Sequence, residues 1–182
     1  MKIGPPERKM RNRSIGIETP QDERIRIVRP RDRSRIKDMV VSSGRFNPEE
    51  IGTALELVDE ALEKGEKSGY LVVVLEFKKE RPAVKGYACY GPTPLTQGVY
   101  DLYWIVTDPV VQGKGFGRHL LEYVEKDILR RGGRMLLIET SSQESYRTTI
   151  RFYRRNGYER VARIKDFYRI GDDKLVFSKG LA

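Results

Sequence analysis

A mixed α/β domain is the fold class this sequence predicts: a central, twisted sheet of six or seven strands with helices on both faces. Three observations lead there. Tyr70–Leu75 and Met135–Thr140 are apolar runs of strand length, continuous enough to be covered on both faces. Two stretches near residues 30–64 carry helical periodicity and a helix start signal. A glycine-rich loop and a helix separate the strands Gly98–Val106 and Met135–Thr140, which makes a β-α-β unit whose strands run parallel.

Residues 1–24 are polar and punctuated by Pro5, Pro6 and Pro20, so they read as an irregular or disordered arm before one domain, 25–182. Ile25–Val28 alternates as a first strand, and Pro30 opens a helix to about Val41. Asn47-Pro48-Glu49-Glu50 is a second helix start, with an Asn cap, Pro in the first turn and acids at the positive end. That helix is expected to reach about Lys64, burying Ile51, Leu55, Val58 and Leu62. Lys78–Pro82 makes a turn, and Ala83–Tyr90 pairs back on the strand before it. In Gly98–Val106, period two puts Asp101, Tyr103 and Ile105 on one face and Leu102, Trp104 and Val106 on the other. A helix follows from about Gly115 to Arg131, closed by Gly132-Gly133. The tail holds a short helix ending at Asn156-Gly157, then strands Tyr158–Ile164 and Lys174–Lys179 joined by a loop, 166–173.

The loop between the parallel strands is the informative stretch. Gln112-Gly-Lys-Gly-Phe-Gly-Arg118 leaves a strand and opens directly into Leu120, Leu121, Val124 and Ile128 at helix spacing. Free backbone N–H groups and the positive end of a helix dipole meet there, an arrangement that suits a phosphate. Lys114 and Arg118 add charge beside it. The P-loop string is absent. The dinucleotide fingerprint G-x-G-x-x-G fails by one residue at Gly117, although Glu139 could imitate its ribose-binding acid. Gln112-x-x-Gly115-x-Gly117 resembles the acetyl-CoA loop of the GNAT family of N-acetyltransferases, [Gln/Arg]-x-x-Gly-x-[Gly/Ala]. Val106-Thr-Asp-Pro109 resembles that family's strand exit, and Ile150-Arg-Phe-Tyr153 followed by Gly157-Tyr158 resembles its second signature. Both signatures stand in the family's order, and the resemblance covers roughly residues 25–180.

The resemblance implies an acyl-CoA N-acyltransferase fold and an enzyme, for which the cytoplasm is the default compartment given one cysteine and no expected signal. It would move an acetyl group from acetyl-CoA to an amine by direct attack on the thioester, without an acetyl-enzyme. The pantetheine arm is expected in a gap where strand Ile105-Val106-Thr107 parts from its neighbour, with the Val106 N–H facing the thioester oxygen. The pyrophosphate is expected over Gln112, Gly113, Lys114, Gly115, Phe116, Gly117 and Arg118. Tyr153 matches the tyrosine that protonates the CoA sulfur in many members. Glu139 matches the position of a base in peptide-acetylating members, with Asp101 as the alternative. Tyr146 stands where many members carry an Asn that contacts pantetheine, so Ser145 or Tyr146 takes that contact. The helical pair with Phe46 lines the acceptor site in the family.

Other features narrow the function. A net charge of +9 raises nucleic-acid binding, but the basic residues are interleaved with acids and a CoA-type ligand is itself anionic. Met1–Arg13 has charge but no apolar core, so it is not expected to be a secretory signal. No apolar run approaches the ~20 residues that span a bilayer. Cys89 lies in an apolar strand and is expected in the core; one histidine, His119, and one cysteine leave no metal site. Arg147, Arg151, Arg154 and Arg155 read as a solvated basic face, and a homodimer is compatible with the sequence. A noncatalytic acyl-CoA-binding module and a nucleic-acid-binding protein are the rival readings. The acceptor stays open among protein lysines, protein N-termini, polyamines and aminoglycosides. Asp101, Glu139, Asp166, Asp172 and Asp173 favour a cationic amine if they line one end.

Overall fold

The computed structural model describes residues 23–78 and 83–182. The expected N-terminal arm lies outside them except for its last two residues, as does most of the turn after Lys78. One seven-stranded sheet runs through the chain in the order β1-β2-β3-β4-β5-β7-β6. Its strands are β1 (Glu23–Ile27), β2 (Leu71–Phe77), β3 (Ala83–Pro92), β4 (Val99–Thr107), β5 (Met135–Ser141), β6 (Glu159–Arg169) and β7 (Asp172–Gly180). Every neighbouring pair is antiparallel except β4–β5, which the crossover helix makes parallel.

Helices α1 (Arg33–Ser42) and α2 (Pro48–Lys64) close one core over Tyr87, Cys89, Trp104 and Val106. Helices α3 (Phe116–Arg130) and α4 (Arg147–Arg155) bound the other, which holds Leu120, Leu121, Ile138, Tyr153 and Phe177. Helix α2 begins as its sequence dictates. The Glu50 N–H donates to Asn47 Oδ1 at 2.9 Å, and the Asn47 N–H donates to Glu50 Oε2 at 2.8 Å. On the face it turns to the sheet, Ala54 and Val58 are fully buried and Ile51, Leu55, Leu57, Ala61 and Leu62 are partly so.

Two expectations need correction. The register of β3 on β4 slips between Cys89↔Trp104 and Tyr90↔Leu102, so Tyr103 is an extra, bulged residue. A bulge shifts the alternation by one. Leu102 therefore shares the α3-side core with Ile105, while Trp104 and Val106 turn to the α1–α2 side. The expected 166–173 loop is also mostly strand. Strand β6 continues to Arg169, and only Ile170-Gly171 turns into β7. The excess residues are absorbed as an irregularity between Ile164 and Arg169, where Asp166 takes a φ of 52° and its N–H donates to Asp173 Oδ1 at 2.9 Å.

Candidate active site

Strands β4 and β5 pair only from Val99↔Met135 to Leu102↔Ile138. Neither ends there. Strand β4 stays on β3 as far as Thr107, and β5 stays on β7 as far as Ser141. The two parallel strands therefore diverge, and a groove of about 1580 Å³ opens between them. A single small-ligand pocket is on the order of 300–1,000 Å³, so this space can take a cosubstrate and an acceptor together. Its floor is Asp101 to Thr107 of β4 with Leu137 and Glu139 to Ser141 of β5. The α1–α2 loop forms one wall, α4 the other, and Tyr168, Arg169 and Asp172 of the β6–β7 hairpin close the end.

The register decides which backbone groups face the gap. The Asp108 N–H donates to the Lys85 carbonyl on β3 at 2.8 Å. Hydrogen-bonding direction alternates along an antiparallel ladder, so Val106, two residues earlier and opposite Tyr87, also points toward β3. Ile105 and Thr107 point the other way, into the opening. Val106, expected as the oxyanion donor, thus turns its N–H toward β3 and not into the opening. In agreement, the Thr107 carbonyl is free to accept from Gln112 Nε2 at 3.3 Å.

The other mouth of the groove is the N-terminus of α3. Its cap is Gly115, which offers no side-chain acceptor, and no acid stands in its first turn. The first N–H groups of the helix, Phe116, Gly117 and Arg118 among them, have no intrahelical partner. Gly113 and Gly115 hold φ of 78° and 91°, and no atom lies within 4 Å of where their β-carbons would be. That bare cradle suits a pyrophosphate, whose oxygens must approach the backbone. Gln112, Gly113, Gly115, Gly117 and Arg118 line the groove. Phe116 does not: its ring is buried against Phe77 with centroids 4.8 Å apart, so only its backbone is available to a ligand. Lys114 is exposed outside the groove lining. On the opposite wall Arg151 and Arg155, one helical turn apart, face the groove, so part of the expected solvated face borders the site.

Tyr153 stands inside the opening. It is 5% exposed, wedged among Phe152, Tyr158 and Phe177. Its hydroxyl has no hydrogen-bond partner among the described residues, and it borders the groove. Burial raises this hydroxyl well above the ordinary tyrosine value, while the charge of Arg45 pulls it back down.

The two carboxylates named from sequence both reach the groove, in different settings. Asp101 lies where β4 and β5 are still paired and accepts from Thr93 Oγ1 at 2.7 Å. Glu139 is the first β5 residue past the fork, half-exposed, with Lys174 Nζ at 2.5 Å. Asp172 also borders the groove and accepts from Ser141 Oγ at 2.5 Å. Asp173 and Asp166 are outside its lining; Asp173 accepts from the Asp166 N–H and from Arg163. Ser145 and Tyr146 line the groove as expected. Cys89 is fully buried with its thiol pushed up to about 12, unfit as a nucleophile. His119 lies against the buried Glu23 carboxylate, outside the groove lining. No helix among the described residues is long and apolar enough to cross a membrane.

Sequence reasoning pointed to the neighbours of Phe46 and to segment 166–173 at the acceptor end, but did not single out Arg45, Thr149 or Tyr168. Arg45 Nη1 donates to Thr149 Oγ1 at 2.9 Å, a bridge from the α1–α2 loop to α4. Thr149 was findable, since it precedes Tyr153 by one helical turn and so shares its face. Arg45 sits in a loop without pattern, and only its place beside Phe46 marks it.

Comparison with known proteins agrees with this geometry. The acetyltransferase (GNAT) domain family matches residues 66–160. A solved GNAT-family structure from Desulfovibrio desulfuricans is 45% identical, with a TM-score of 0.83 over 88% of this chain and 99% of its own. A Salmonella typhimurium structure that holds acetyl-CoA has the same fold at 20% identity, with a TM-score of 0.67 over 88% of this chain and 95% of its own. The S-(2-succino)cysteine N-acetyltransferase of Bacillus subtilis is 31% identical over 71 residues, 39% of this chain. The chain spans 43% of the length of that curated relative. With the family's domain matched over more than half its length, the chain belongs to the GNAT acetyltransferase family.

Proposed function

We propose that the protein transfers an acetyl group from acetyl-CoA to an amine, by direct attack of the amine on the thioester carbonyl. The observation that carries this reading is the β4–β5 fork, which opens onto the uncapped α3 N-terminus with an unpartnered Tyr153 hydroxyl inside it. Acetyl-CoA supplies the acetyl group on a thioester and leaves as a thiol. The bare backbone of Gly113 to Arg118 would hold its pyrophosphate. Arg151 and Arg155 would add charge from α4, and the fork would take the pantetheine.

The residues divide the work. As the amine nitrogen bonds to the carbonyl carbon, negative charge grows on the carbonyl oxygen. The N–H of Ile105 or Thr107 receives it, an interaction worth roughly 3–4 kcal/mol for one well-placed donor. The C–S bond then breaks, and Tyr153 gives its proton to the sulfur. Burial keeps that proton on Tyr153 through the physiological range but also makes the hydroxyl a weaker acid; Arg45 offsets part of this. The proton lost by the amine passes to Glu139, the carboxylate at the fork, and on to solvent. Asp101 is less suited, because it stands in the paired part of the strands and is already bonded to Thr93.

The named acceptor of the Bacillus subtilis relative, an amine that also carries carboxylates, is the first acceptor to try. Self-association belongs to the same proposal. Strand β6 is a sheet edge whose eleven residues are all exposed, Val161, Ile164, Phe167 and Tyr168 included. A second copy of the chain is the partner that such an edge takes most readily.

Calorimetry with acetyl-CoA, CoA, NAD and ATP tests the reading. Wild type and Tyr153→Phe should bind the CoA pair alone, and Gly115→Glu should lose it by placing a carboxylate in the cradle. Tyr153→Phe should lower kcat about 10²–10⁴-fold with unchanged acetyl-CoA affinity. Binding without turnover in wild type would instead favour a noncatalytic acyl-CoA module.

A further inference from the structure

The acceptor end of the groove sets opposite charges around one tyrosine. Burial raises the Tyr146 hydroxyl; the nearby Glu50 and Asp172 carboxylates raise it further, and Arg45 opposes them. The hydroxyl donates to the Arg45 carbonyl at 3.4 Å, so the α1–α2 loop is fastened to α4 through both the backbone and the side chain of Arg45. The charged partners differ in how far they are committed. Glu50 Oε2 is taken by the capping box of α2, and Asp172 Oδ1 by Ser141. Arg45 has no carboxylate partner among the described residues, and its one side-chain hydrogen bond goes to a neutral hydroxyl. A guanidinium carries five N–H donors in a planar fork that matches a carboxylate. Thr149, its anchor, lies one helical turn before Tyr153, whose unpartnered hydroxyl belongs to the same groove. The open fork therefore borders the same groove as the proton donor.

We infer that the acceptor is an amino-acid-like zwitterion: its reacting amine lies a few bonds from a carboxylate, and Arg45 holds that carboxylate. The inference rests on the acetyl-transfer reading above. The ammonium enters on the side of Glu50 and Asp172, and the carboxylate meets Arg45. A polyamine brings a second cation against Arg45, and an acceptor with several carboxylates beside its amine must keep them clear of Glu50 and Asp172. Phe46 and Trp104, edge to face with centroids 4.8 Å apart, wall the same end and suit the side chain of the acceptor. Arg45 is in this account a specificity residue, in contact with substrate but not with the bond that breaks.

Release of the CoA thiol is followed for wild type, Arg45→Gln and Arg45→Lys. The acceptors are the free L-amino acids, their primary amides, and amines without a carboxylate. Acetyl-CoA affinity is measured on each protein. Wild type should prefer an acid to its amide by about tenfold or more in kcat/KM; Arg45→Gln should erase that preference through KM, and Arg45→Lys should restore part of it. Acetyl-CoA affinity should stay within about twofold across the three. Equal rates with acid and amide, turnover confined to amines without a carboxylate, or an equal loss for both in Arg45→Gln would each overturn the inference while acetyl transfer stands. No acetyl-CoA binding, or no acetylation of any amine, would remove the acetyl-transfer reading and the inference with it.

Discussion

At the scale of single residues, the proton balance of the groove is decided by where each carboxylate sits on the fork. Glu139 begins the unpaired part of β5, is ion-paired with Lys174 and lies half-exposed at the opening. An amine arrives as an ammonium and must lose a proton before it attacks. A carboxylate at the fork is useful only while bulk solvent leaves the amine protonated. Glu139→Gln should therefore lower kcat/KM by roughly 10–100-fold near pH 7 and much less near pH 9, where the amine is increasingly neutral by itself. Asp101→Asn should act differently, because its carboxylate is bonded to Thr93 within the paired strands. Its effect should be the same at both pH values. A pH–rate profile of the two variants separates them; a uniform loss in Glu139→Gln would assign Glu139 a positioning role through Lys174. Residue chemistry of this kind was legible for Tyr153 and for the glycine cradle because backbone conformation and helix position announce them. Arg45 was not legible, since its importance comes from Thr149, distant in sequence and adjacent only after folding.

Among elements, the far edge of the sheet is tied to α1 by buried charge. Arg26 on β1 reaches Asp32, which precedes α1, at 2.6 Å and Glu76 on β2 at 2.7 Å. Glu76 is almost wholly buried and also holds Arg24 at 2.6 Å. The Arg26 guanidinium depresses the Glu76 carboxyl to about 2. A carboxylate depressed on folding contributes stability above its unfolded pKa and loses it as the pH falls through the folded value. Here that window runs from about pH 5 down to about pH 2, given an ordinary Glu value of ~4.3. Glu76→Gln should cost about 3 kcal/mol near neutrality, the lower end for breaking a buried pair, since Arg26 keeps Asp32. The gap in urea midpoint between wild type and variant should narrow from pH 6 to pH 3 and close only as the pH falls to about 2; a gap unchanged at pH 3 would show that the loss is one of packing. The sequence gives such elements well where patterns are local: the Asn47 cap, the covered run of β2 and the β-α-β unit stand as expected. It conceals what pairing creates. The Tyr103 bulge depends on β3 register, and the extension of β6 past Ile164 depends on β7 across the hairpin.

On the scale of the whole molecule, two cores packed against opposite faces of one sheet leave the sheet split along a single seam. Strands β1 to β4 form one antiparallel block and β5, β7 and β6 another, joined by four residue pairs from Val99↔Met135 to Leu102↔Ile138. Helices α3 and α4 pack on one face of both blocks through Leu120, Ile138, Tyr153 and Phe177, which holds the blocks together while the seam stays open at the groove. A ligand in the seam replaces missing strand pairing with its own hydrogen bonds. The amides of Ile105 and Thr107 point into the seam without a β5 partner, so they should exchange hydrogen quickly in the free protein and slow by about tenfold or more when acetyl-CoA is bound. The amide of Val106, turned toward Tyr87 on β3, should be protected in both states. Strand β6, exposed along its length with one neighbour, should exchange early with or without acetyl-CoA and slow with rising protein concentration if a second copy covers it. Residue-resolved exchange by NMR reads all three at once. Protection of Val106 alone on binding would reverse the assigned ladder direction and return the oxyanion role to that residue, whereas protection of Ile105 and Thr107 fixes the seam as the path of the thioester.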